Sequence, residues 1–144
     1  MTEAIKKVVL VEDDPWQIEL AEDHLKKHSS IEFKVIPFLS EGEFRDWWEA
    51  EGKNEEIDYF VFDLMLRWTR PGVPVSFERT KRSDYPPDRA GIRCKELVLA
   101  SREDAKIAVW TIIATDQLTE KERRGAKILG KDEKPASKVI EALR

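Results

Sequence analysis

Short apolar runs rich in β-branched and aromatic residues recur along the chain, each followed by a longer stretch with helical spacing, and that alternation is the signature of parallel α/β architecture. The runs lie at 5–11, 33–37, 57–62, 106–111 and, with a weaker pattern, 126–129. From Val8 to Val11 and from Tyr59 to Phe62 the chain is apolar without interruption, as strands covered on both faces are, so these two belong near the middle of the sheet. After the first run, 15–28 carries Ile18, Ala21 and Leu25 at steps of three and four, with Pro15 in the first turn and Asp14 placed to cap it. Ser40 and Glu43 form a capping-box pattern, and the helix they open runs to about Glu51 and stops at Gly52. Ala90, Cys94 and Leu97 share a third helical face, 116–124 reads as a short fourth helix, and Val139, Ile140 and Leu143 mark a fifth. The expected order is therefore (βα)5.

One segment breaks this rhythm. The stretch 67–88 contains Pro71, Pro74, Pro86 and Pro87 and sustains neither period. Loops beyond about 12–15 residues are uncommon in compact domains and tend to be functional. This one holds Arg67, Arg70, Arg79, Lys81 and Arg82 with the aromatics Trp68, Phe77 and Tyr85, and is the basic concentration of an otherwise acidic chain.

Length and composition narrow the class. The 144 residues suit one compact domain and leave little room for a separate output domain. With 25 Lys+Arg against 29 Asp+Glu, the net charge of −4 argues against a protein that coats nucleic acid, whose binding needs clustered positive charge. No apolar stretch approaches the roughly 20 residues that cross a bilayer, and the N-terminus lacks a secretory pattern, so a cytoplasmic protein without membrane contact is expected. The single cysteine, Cys94, reads as a small buried apolar residue. His24 and His28, four apart, read as surface residues because no further zinc ligands accompany them.

Candidate chemistry gathers at one end of the expected strands. Glu12, Asp13 and Asp14 follow the first, Asp63 ends the third, Thr111 ends the fourth and Lys131 follows the fifth. Open parallel sheets bind ligands outside the carboxyl ends of their strands. Carboxylates converging on one point repel each other unless a cation neutralises them, and oxygen ligands without histidine suit a hard ion such as Mg2+. A lysine ammonium and a threonine hydroxyl would then serve the oxygens of a bound anion, and the nucleophile at hand is a carboxylate, Asp63.

Four segments carry a resemblance to a known family. Val-Leu-Val-Glu-Asp-Asp-Pro at 9–15, Asp-Tyr-Phe-Val-Phe-Asp-Leu-Met-Leu at 58–66, Val-Trp-Thr at 109–111 and Gly-Ala-Lys-Ile-Leu-Gly-Lys-Asp at 125–132 resemble the blocks of a CheY-like receiver domain of bacterial two-component response regulators. The resemblance implies a flavodoxin-like doubly wound sheet of order 2-1-3-4-5. It implies that Asp63 accepts a phosphoryl group from a sensor histidine kinase or phosphotransfer protein. Glu12, Asp13, Asp63 and the backbone carbonyl of Met65 would hold Mg2+, and Thr111 and Lys131 would engage the phosphoryl group. The acyl phosphate would switch a surface that binds another protein or a second copy of the chain, with no enzymatic activity beyond self-phosphorylation and self-dephosphorylation.

The sequence also departs from that family. Lys134-Pro135 competes with Lys131 as the site lysine, Ile112 stands where a small residue is usual, and the aromatic of the fifth strand is replaced near Ile128 or Leu129. Trp110 should face away from Thr111 by strand alternation and enter the core. The 67–88 stretch, near Asp63 in sequence, is a neutral insertion, a determinant of which kinase or partner approaches or, as the least favoured reading, a nucleic-acid contact. Met65 and Ile113 are apolar where polar side chains would position an attacking water, which predicts slow self-dephosphorylation. The second reading keeps the fold as a phosphorylation-independent interaction module. A haloacid-dehalogenase-type phosphatase needs an acid two residues after the nucleophile, where Met65 stands, and a flavodoxin needs a hydroxyl-rich phosphate loop that is missing.

Overall fold

The computed structural model describes residues 5–28, 32–67, 89–111 and 117–130. Five parallel strands form one sheet: β1 (Lys6–Val11), β2 (Phe33–Phe38), β3 (Tyr59–Asp63), β4 (Ile107–Thr111) and β5 (Lys127–Gly130), in the order β2-β1-β3-β4-β5. The helices are α1 (Pro15–His28), α2 (Glu41–Ala50), α3 (Ala90–Ser101) and α4 (Glu120–Arg123). This is the expected doubly wound arrangement, with β3 in the centre and the chain winding from β1 outward in both directions. The fifth expected helix, around Val139, lies outside the described residues, as does most of the 67–88 stretch.

The side chains divide between two faces of the sheet. Val9, Val11, Phe60 and Phe62 point into one core with Phe44, Trp48, Cys94 and Val98 from α2 and α3. Val8, Leu10, Val61, Ala108 and Trp110 point into the other with Ile18 and Ala21 of α1. Trp110 is thus buried as strand alternation predicts. Trp48 is buried while its neighbour Trp47 is half-buried, since adjacent positions on a helix cannot share a face. Fully burying aromatics of this size contributes about 1.5–3 kcal/mol each, so the core of Phe44, Trp48, Phe60 and Phe62 dominates the stabilisation of this face.

Local capping fixes the helix starts. The Asp14 carboxylate accepts from the Trp16 amide at 3.0 Å, and the Ser40 hydroxyl accepts from the Glu43 amide at 3.2 Å while donating to the Glu43 carboxylate at 2.6 Å. α4 is shorter than the expected 116–124 because Thr119 is its N-cap, with a reciprocal capping box to Glu122. Its carboxyl end is held from outside: the Lys95 ammonium, fully buried on α3, donates to the carbonyls of Lys121, Glu122 and Arg124 at 3.3, 2.5 and 2.8 Å. Arg89 adds an ion pair of 2.8 Å to Glu122.

Candidate functional site

The carboxyl ends of β1 and β3 lie side by side, because Val11 is in register with Phe62. The next residue of each strand's path is an acid, Glu12 after β1 and Asp63 at the end of β3. Sheet register therefore brings together two carboxylates separated by fifty residues of chain. Glu12 is 1% and Asp63 5% exposed, and the Glu12 amide donates to Phe38 of β2 at 3.0 Å, which ties the turn after β1 to the sheet. Asp13 joins them from the same turn, partly exposed. Carboxylate oxygens of Glu12, Asp13 and Asp63 all lie within 4.8 Å of one another. At that separation like charges raise each other's energy by several kcal/mol in a medium of intermediate dielectric, so the trio fits a hard divalent cation with oxygen ligands.

Asp63 is held in orientation from two sides. Its Oδ1 accepts from the Met65 amide at 3.2 Å, an Asx-type turn that sets the carboxylate's rotation. The chain beyond is pinned by the Leu64 amide donating to Trp110 at 2.9 Å and by the Leu64 carbonyl accepting from the Gly91 amide at 3.0 Å. α3 approaches so closely here that a Cβ on Gly91 would stand 2.5 Å from the Asp63 carbonyl oxygen and 2.8 Å from the Leu64 Cα. Glycine is required for that approach.

Thr111, the last residue of β4, is buried and sits one position past the partner of Asp63 in the register between β3 and β4. It pairs in turn with Gly130, the last residue of β5. The described part of β5 ends one residue before Lys131, so Lys131, its competitor Lys134, and Ile112 and Ile113 lie outside the described residues. Met65 is 44% exposed at the same rim.

This arrangement of strands recurs in solved structures. A CheY-like response-regulator receiver domain protein from Methanospirillum hungatei superposes with a TM-score of 0.62 at 19% identity, over 97% of this chain and 94% of that one. The response regulator TrrA from Thermotoga maritima, solved with Mg2+ and BeF, gives 0.62 at 15% identity, over 95% and 98%. A response regulator from Burkholderia pseudomallei with a phosphorylated aspartic acid and a calcium ion gives 0.66 at 16%, over 96% of this chain and 66% of that one. The chain has the receiver fold. No protein-family model matches the sequence, and no curated protein matches it at a significant level.

Of the acids singled out in sequence, Glu12, Asp13 and Asp63 converge while Asp14 caps α1, and the described residues contain no helix long and apolar enough to cross a membrane. Cys94 is buried and its thiol is pushed far up, first by burial and then by the nearby Glu41 charge, so it is chemically inert. Two features escaped the sequence reading. Arg67, placed only in a basic loop, has its Nε 3.8 Å from Asp13 Oδ2. Gly91 escaped as well, although a glycine in the first turn of a helix, where alanine is favoured, is the sign of a close approach.

Proposed function

We propose that the protein is a phospho-accepting receiver: Asp63 takes a phosphoryl group from a phosphohistidine donor and thereby changes a protein-binding surface. The observation that carries this reading is the convergence of three carboxylates, two of them buried, within 4.8 Å at the carboxyl ends of β1 and β3. Glu12, Asp13 and Asp63, with the Met65 carbonyl, are the residues that would hold Mg2+, and the ion when bound offsets the negative charge of both carboxylate and phosphoryl group. An oxygen of the Asp63 carboxylate attacks phosphorus while the phosphorus–nitrogen bond of the donor breaks, and the imidazole leaves with the electron pair. The Met65 amide, fixed on Asp63 Oδ1, keeps the carboxylate oriented during the attack. Thr111 donates its hydroxyl to a phosphoryl oxygen, and Lys131, which follows Gly130 in sequence, supplies a positive charge to the same group. The donor is a sensor histidine kinase or a phosphotransfer protein, and the response passes to a protein partner or a second copy of the chain.

Incubation with a small phosphodonor and Mg2+, followed by intact mass measurement, tests this reading. Wild type is expected to gain the mass of one phosphoryl group and Asp63→Asn to gain none. Equal modification of both proteins would move the acceptor elsewhere. An unmodified wild type that still titrates Mg2+ would favour the interaction module that works without phosphorylation.

A further inference from the structure

A cation already stands at the acidic rim. Arg67 is the fourth residue after Asp63, and its Nε lies 3.8 Å from Asp13 Oδ2. Its main chain is anchored independently of its side chain, because the Arg67 carbonyl accepts from the Glu41 amide at 3.0 Å. Glu41 is itself immobilised. Its buried carboxylate accepts from Arg93 at 2.6 and 2.9 Å and from Arg45 at 3.3 Å. The root of Arg67 is therefore fixed to the start of α2, while its half-exposed guanidinium reaches the turn after β1.

We propose that Arg67 is a resident counter-cation of this site. In the absence of a divalent ion it neutralises part of the charge on Asp13, and it must surrender that carboxylate when the ion binds. The inference rests on reading Glu12, Asp13 and Asp63 as a divalent-cation site. Its content is a sign: the guanidinium lowers the affinity of the site for Mg2+, by direct competition for Asp13 and by repulsion of a like charge at short range. Because the pair is solvent-accessible, salt screens the effect.

Calorimetric titration of the full chain with Mg2+ alone separates the possibilities. Arg67→Gln removes the charge and keeps the carbonyl that Glu41 uses, so an unchanged melting temperature verifies the fold. This variant is expected to bind Mg2+ about threefold or more tightly than wild type at low salt, the range an exposed ion pair supports. Arg67→Lys, which restores the charge, should return to within about twofold of wild type, and the advantage of Arg67→Gln should shrink near 1 M NaCl as the Debye length falls to about 3 Å. Equal or weaker binding by Arg67→Gln overturns the inference while leaving the cation site standing. Absence of saturable binding in every variant removes the cation site itself, and the inference with it.

Discussion

Two regions among the described residues bury carboxylates, and the charges around them differ. Between α2 and α3, Glu41 is fully buried and gripped by two guanidinium groups, from Arg93 and Arg45. At the rim of the sheet, Glu12 and Asp63 are buried to the same degree, yet they are aimed at each other and at Asp13. The first region uses its charge inside the fold, as a brace between α2 and α3. The second gathers three carboxylates in one place, with the Arg67 guanidinium 3.8 Å from Asp13. Burial alone does not distinguish the two sets of acids; the charges crowded around each do.

Removing the partner of a buried carboxylate is the strongest way to expose this difference. Arg93→Met leaves Glu41 in the core with Arg45 at 3.3 Å, and a loss of about 2–4 kcal/mol is expected in urea unfolding. Neutralising an acid at the rim should act in the other direction. Glu12→Gln relieves repulsion and is expected to raise the stability of the cation-free protein by about 1 kcal/mol, while weakening Mg2+ binding at least about tenfold in calorimetry. Similar destabilisation by both variants would erase the contrast drawn here.

The smallest effect belongs to an acid on the surface. Glu122 is held below the ordinary glutamate range, first by the Thr119 amide and then, against a desolvation penalty, by the charge and hydrogen bond of Arg89. A pKa lower in the folded than in the unfolded state adds stability above the unfolded value, and that stability is lost as pH falls through the folded value. Glu122→Gln should therefore lower the urea midpoint at neutral pH by the equivalent of less than about 1 kcal/mol, with the two curves converging in acid.

The strands were legible because both faces of a parallel sheet need cover, which writes continuous apolar runs such as Val8-Val9-Leu10-Val11 into the chain. The acidic rim was legible for a related reason, since a strand's end fixes where the next residue must lie. What sequence could not convey were pairings made by topology between distant positions. Nothing near Glu41 announces Arg93, and nothing near Asp13 announces Arg67. α4 was misjudged in length on the same grounds. Its 116–124 window lacks an apolar face, and the short helix is secured by Lys95 of another element rather than by its own periodicity. The Thr119 capping box was present in the sequence and marks the true start.

The carbonyl of Arg67 and the amide of Gly91 are both tethered, one to the amide of Glu41 and the other to the carbonyl of Leu64. These tethers work as two stitches on either side of a hem. Cloth let out between them hardly tugs on the garment, because doubling a loop's length costs only about 0.6 kcal/mol of closure entropy. The length of the span between the stitches can thereby change at little cost, while the seam beside Asp63 stays as it was sewn.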